Sequence, residues 1–131
     1  MEVQEIQEMT VAGYIASAPK EQRAALRELR SLIKKAAPGA VEAIADDGYV
    51  GYRTEDGRWV AGFAHRAKCP MLYVMAGKGM AKNAGKLGPL RSGKSCIEWR
   101  ELKGKPSLTY AELKEMAKEM VSEAAAVQGV A

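Results

Sequence analysis

Two helical patterns frame a middle whose apolar residues alternate instead, and that change of period sets the fold class. Near the start, Thr10 is placed to cap a short helix, with Met9 before it and Tyr14 after it at staple spacing. Pro19 predicts the opening of a second helix. In that segment Leu26, Leu29, Ile33 and Ala36 recur at helical steps, Ala25 and Leu32 lie beside them, and Pro38-Gly39 ends the run. A final helix is predicted after Thr109. There Thr109 and Glu112 have capping-box spacing, Leu108 and Leu113 form the matching staple, and Leu113, Met116, Ala117, Met120, Val121 and Ala124 make one apolar stripe.

Between these helices, Tyr49-Val-Gly-Tyr-Arg53 and Arg58-Trp-Val-Ala-Gly-Phe-Ala64 flank Thr54-Glu-Asp-Gly57. The Asp-Gly pair is a hairpin-turn signal, so the two runs read as antiparallel strands. Met71-Leu-Tyr-Val-Met75 predicts a third strand and Ser95-Cys-Ile-Glu-Trp-Arg100 a fourth. Residues 77–87 are helix-like in spacing but contain Gly77, Gly79 and Gly85. Each internal glycine costs roughly 1 kcal/mol relative to alanine, which predicts a short or mobile segment. The expectation is an α+β domain: a mainly antiparallel sheet of about four or five strands, with N-terminal and C-terminal helices packed on one face. With 131 residues, no internal repeat and no linker, the chain reads as one domain over 1–131.

No apolar run approaches the roughly 18 residues needed to cross a bilayer, and the opening Met1-Glu-Val-Gln-Glu-Ile-Gln-Glu8 is acidic where a leader is basic and then apolar. Cys69 and Cys96 form no C-x-x-C pair. They read as free thiols of a cytoplasmic protein with no membrane partner.

Charge alters the picture more than composition does. Between Asp56 and Glu98 lie 41 residues without a carboxylate, among which Arg58, Arg66, Lys68, Lys78, Lys82, Lys86, Arg91 and Lys94 are positive. The net charge is only +4, because acids crowd the two ends. A positive middle of this kind attracts phosphates, nucleotides, nucleic acid or an acidic protein, although a basic surface also serves solubility. A second basic row, Arg23, Arg27, Arg30 and Lys34, falls on one helix face and reads as solvated.

Within the positive block, Gly88-Pro-Leu-Arg-Ser-Gly93-Lys94-Ser95 fits the phosphate-loop pattern G-x-x-x-x-G-K-[ST]. A phosphate loop requires a helix after its Lys-Ser, because backbone N–H groups at that helix start hold the phosphates. Here Cys96-Ile-Glu-Trp reads as a strand, and only 36 residues follow Ser95 for the remaining parallel strands and a magnesium-binding acid. The nucleotide-hydrolase reading is therefore disfavoured. A tight anion-binding turn at Arg91, Gly93, Lys94 and Ser95 remains. Cys96 is the candidate reactive thiol, because nearby positive charge favours a thiolate, yet a strand cysteine is also an ordinary small apolar residue. No catalytic residue is assigned. His65 has no histidine partner and stands beside Arg66 and Lys68, surroundings that disfavour a metal. Glu42 and Asp46, with Asp47 adjacent, share one face if their segment is helical, and they are the acids available to a cation. Trp59, Tyr73 and Trp99 interleave with basic residues as on a nucleic-acid surface, although aromatic strand positions also build cores.

Taken together, several segments resemble the YdhG-like domain-of-unknown-function family of small bacterial proteins. They are Tyr14-Ile15, Leu26–Ile33 with Pro38 and Glu42, Gly48-Tyr-Val-Gly-Tyr52, Val60-Ala-Gly-Phe63, Leu72-Tyr73, and Leu87-Gly88 followed by Ser92-Gly93-Lys94-Ser95-Cys96-Ile97. The resemblance spans about residues 9 to 125. It implies no established enzymatic activity and a strand after the Gly-Lys-Ser-Cys run. One branch of the family is named a frataxin-like intracellular iron chaperone, which implies an acidic iron-binding surface. Here Glu42, Asp46 and Asp47 would have to supply it, against a middle that is basic. The leading expectation is a non-enzymatic binding domain that holds a small anionic ligand or an acidic protein, with no cofactor. Iron delivery, with iron as the bound metal, and nucleic-acid binding are the alternatives. Homodimer formation through an exposed helix or strand edge has no distinct sequence signal.

Overall fold

The computed structural model describes residues 10–45, 48–75, 77–105 and 107–130. Helix α1 (Val11–Ala16) leads through a 3-10 turn (Lys20–Gln22) into α2 (Arg23–Ala36). Strands β1 (Val41–Ile44), β2 (Val50–Arg53), β3 (Trp59–Ala64) and β4 (Met71–Val74) follow, then α3 (Lys78–Leu87), a second 3-10 turn (Gly88–Leu90), β5 (Cys96–Glu98) and α4 (Tyr110–Gln128). The sheet order is β1-β2-β3-β4-β5 with every pair antiparallel, so the fold is α+β as expected.

Local chemistry accounts for most boundaries. The Thr10 hydroxyl accepts from Gly13 N at 3.0 Å and starts α1, while Met9 lies outside the described residues. Pro19 opens the 3-10 turn rather than an α-helix, and α-geometry begins at Arg23. Thr109 and Glu112 cap α4 reciprocally, and Gly129 ends it in the left-handed region at φ 83°. Helix α3 runs for ten residues despite its glycines. Glu123 of α4 accepts from Gly79 N, and Asn83 Nδ2 donates to Gly79 O at 2.8 Å. The tertiary bond from Glu123 and the local one from Asn83 supply what propensity lacks. A side chain at Gly79 would meet Glu123 Oε1 at 2.7 Å, so the glycine is the condition for the contact.

Helices α2 and α4 pack on each other and both touch β3, which places them on one face of the sheet. Register puts Val50, Phe63, Leu72 and Ile97 in one cross-strand row on that face and Tyr52, Ala61 and Val74 in the next. All seven are buried, against Leu26, Leu29 and Ile33 of α2 and Leu113, Ala117, Met120 and Val121 of α4. The other face carries Arg53, Trp59, Gly51, Gly62, Tyr73 and Cys96, several of them half-exposed. A bulge between Tyr52 and Arg53 pairs Arg53 with Trp59 and turns that indole toward the open face.

One strand was not anticipated. The segment holding Glu42, considered as helix, is β1, so the carboxylate spacing argued for Glu42 and Asp46 does not apply. Asp46 and Asp47 lie outside the described residues.

Candidate functional site

The open face of the sheet begins with two glycines directly opposite one another, Gly51 on β2 and Gly62 on β3. Without side chains there, the backbone forms a floor on which the Tyr49 ring lies. A Cβ on Gly62 would sit 3.0 Å from that ring and 2.6 Å from Val50 O. Tyr73 on β4, paired with Gly62, meets Tyr49 edge to face at 5.7 Å. The Arg66 guanidinium lies over the Tyr73 ring, 5.8 Å from its centroid. One of its nitrogens, Nη1, donates to His65 O at 3.0 Å, and among the described residues no carboxylate pairs with Arg66.

Tyr49, Trp59, Arg66, Tyr73 and Ser95 line a cleft of about 300 Å³ on this face, with no acidic residue among them. Burial raises the Tyr73 phenol above its usual range although Arg66 pulls the other way, so the hydroxyl is protonated and can donate at neutral pH. The Trp59 indole N–H is buried with no acceptor among the described residues. At the rim, Arg53 donates from Nη2 to the Tyr49 hydroxyl at 3.2 Å. Among the described residues the charges at the cleft, Arg66 in its lining and Arg53 at its rim, are positive; Glu98, two residues along β5 from Cys96 on the same face, is paired with Lys68 and Arg100.

Of the residues singled out in the sequence, Ser95 alone lines the cleft. Residues 91–97 form a tight hairpin: Arg91 bridges Ile97, and Ser92 N donates to Cys96 O at 3.0 Å. Val74 N donates to Ser95 O at 3.0 Å and holds the hairpin on β4. Gly93 and Lys94 sit exposed at its tip, and Arg91 Nη2 reaches Lys94 O at 3.5 Å. A strand, Cys96–Glu98, leaves the Lys94-Ser95 pair where a phosphate loop needs a helix. Cys96 is half-buried opposite Tyr73, one residue from the cleft wall, and Gly93 passes close to it: a Cβ there would lie 3.4 Å from Sγ. Cys69 is buried, and burial, reinforced by the Glu98 charge, pushes its thiol up.

Glu42 is committed elsewhere. Arg30 grips both of its oxygens, Nε and Nη2 each at 2.9 Å, and the Tyr52 hydroxyl donates to it at 2.5 Å. Burial alone would raise this carboxyl, but the Arg30 and Tyr52 bonds hold it below the usual range. Among the described residues no group of three or more His, Cys, Asp or Glu is placed to hold a metal. The same contact takes Arg30 out of the solvated basic stripe.

Two larger clefts have compensated charge. The one between α2 and α4, about 590 Å³, mixes Lys35, Lys114 and Lys118 with Glu28 and Glu115, and Lys114 pairs with Glu28. In another of about 470 Å³, Lys68 and Arg100 are both drawn to Glu98. The open-face cleft differs because its cation, Arg66, has no carboxylate partner among the described residues.

Sequence reasoning had aromatic residues alternating on the strands but did not place Tyr49, Trp59, Arg66 and Tyr73 in one cleft. The hairpin turn alone would set Gly51 opposite Ala61, and the bulge between Tyr52 and Arg53 shifts it to Gly62, so no local pattern gave the glycine floor. A scan of family models, a search of curated proteins and a search of solved structures each found no match to this chain.

Proposed function

We propose that this chain is a non-enzymatic binding domain whose open sheet face holds a small anionic ligand. The observation that carries the reading is Arg66, an exposed guanidinium stacked on Tyr73, with no carboxylate partner among the described residues, over a cleft lined by aromatic rings and hydroxyls. A guanidinium presents its donors in a plane matched to carboxylate or phosphate oxygens, and the ring beneath restricts its orientation before a ligand arrives. Ser95 adds a hydroxyl on the opposite wall. The reading moves the contact from the hairpin tip, where Lys94 is solvated, to the hairpin's inner residue. The most specific part of the YdhG-like resemblance, from Leu87-Gly88 to the Gly-Lys-Ser-Cys run, includes the hairpin that brings Ser95 to the cleft.

A ligand bound only by the folded state raises the unfolding temperature by mass action. Screened against phosphorylated metabolites, nucleotides and organic carboxylates, the protein should show an anion-dependent rise that Arg66→Gln abolishes and Lys94→Ala largely retains. A rise that survives Arg66→Gln and disappears with Lys94→Ala would return the site to the hairpin tip.

A further inference from the structure

Building on the open face as an anion site, we propose that its cleft takes a flat aromatic ring bearing a single carboxylate or similar acceptor group, not a polyanion or a saturated anion. Three features converge on that class. The walls are rings: Tyr49 and Tyr73 stand at 82° to one another, and Trp59 closes a third side. Aromatic pairs prefer offset or edge contacts, and such a corner offers a flat ligand an edge and a face together.

Size is the second feature. About 300 Å³ lies at the lower end of the range for small-molecule sites and suits one or two fused rings. A dinucleotide would not fit.

Third, the polar groups that line it can all donate: the free side of the Arg66 guanidinium, the Ser95 hydroxyl and the Tyr73 hydroxyl. An ionised carboxylate only accepts, so it complements that set. A triphosphate would require several cations or a run of backbone N–H groups. Of the other positive residues nearby, Lys94 is exposed at the hairpin tip, Arg91 is turned to the Lys94 carbonyl, and Arg53 at the rim donates to Gly57 O and to the Tyr49 hydroxyl. The one guanidinium in the cleft lining, Arg66, matches one anionic group.

The test is calorimetric titration with a pair of probes of equal charge and carbon skeleton, 2-naphthoate and decahydronaphthalene-2-carboxylate. We expect 2-naphthoate to bind at least about ten-fold more tightly, in line with the worth of ring stacking on an aromatic side chain. Tyr73→Leu should erase most of that preference, Arg66→Gln should weaken both probes, and Tyr49→Leu gives a second wall variant should Tyr73→Leu fail to fold. Equal affinities for the two probes would overturn the aromatic class and leave the anion reading standing. Heat from inorganic phosphate but from neither probe would do the same. No heat from any of the three, or binding indifferent to Arg66→Gln, would overturn the anion reading itself.

Discussion

Glu42 joins three elements with one carboxylate, accepting from Arg30 of α2 and from the hydroxyl of Tyr52 on β2 while sitting on β1. Tyr52 is buried, and burial together with the Glu42 charge pushes its phenol far up, so it donates at any working pH. Glu42→Gln removes the carboxylate charge from three charge-assisted bonds and leaves Arg30 with a neutral acceptor. Hydrogen bonds to charged groups contribute about 1.5–3 kcal/mol, and with Glu42 about one-seventh exposed the lower half of that range is expected by urea unfolding at pH 7. Because the folded-state pKa lies below the ordinary 4.5, the Glu42 contribution is complete above that pH and disappears as pH falls through the lower value. The gap between wild type and Glu42→Gln should therefore close on acidification. A gap that is constant with pH would show that the ion pair does not form. In the sequence, Arg30 was one member of a regular basic row and Glu42 one acid among three. Only the turn of the chain at Pro38-Gly39, which lays β1 beside α2, makes them partners, and no local pattern encodes that approach.

At the scale of elements, the parts that were legible are those with local causes. The Thr109–Glu112 capping box, the Asp56-Gly57 hairpin and the apolar stripes of α2 and α4 all lie where neighbouring residues dictate. Strand β1 was missed because its four residues alternate only weakly and it stands at the sheet edge, where pairing with β2 rather than its own pattern decides its conformation. The ten-residue α3 exceeded expectation for a related reason, since its start is held by Glu123 from a distant helix. The Gly51/Gly62 pair is the element-level feature on which the cleft depends. At Gly62 an added methyl would lie 2.6 Å from Val50 O, a backbone atom that cannot swing aside. Gly62→Ala should destabilise the fold by about 1–3 kcal/mol and lift Tyr49 from the sheet, seen as a lower unfolding temperature and altered tyrosine near-UV dichroism. An unchanged spectrum and stability would mean that Tyr49 does not rest on this floor.

Across the whole molecule, the positive middle of the sequence is divided among surfaces of different character. Lys68 and Arg100 share the one carboxylate of Glu98, Lys94 projects at a hairpin tip, and Arg66 stands over the Tyr73 ring without a carboxylate partner among the described residues. The charge block thus told how many cations the middle holds but not which of them stands over a cleft, since that depends on which strands the chain sets side by side. No helix among the described residues is long and apolar enough to cross a membrane. The most direct test of the account is a map of amide chemical-shift changes when 2-naphthoate is titrated into isotope-labelled protein. The account predicts saturable shifts centred on Gly51, Gly62, Arg66, Tyr73 and Ser95, with the exposed outer faces of α2 and α4 silent. Shifts confined to Gly93 and Lys94, or to the groove between α2 and α4, would contradict it.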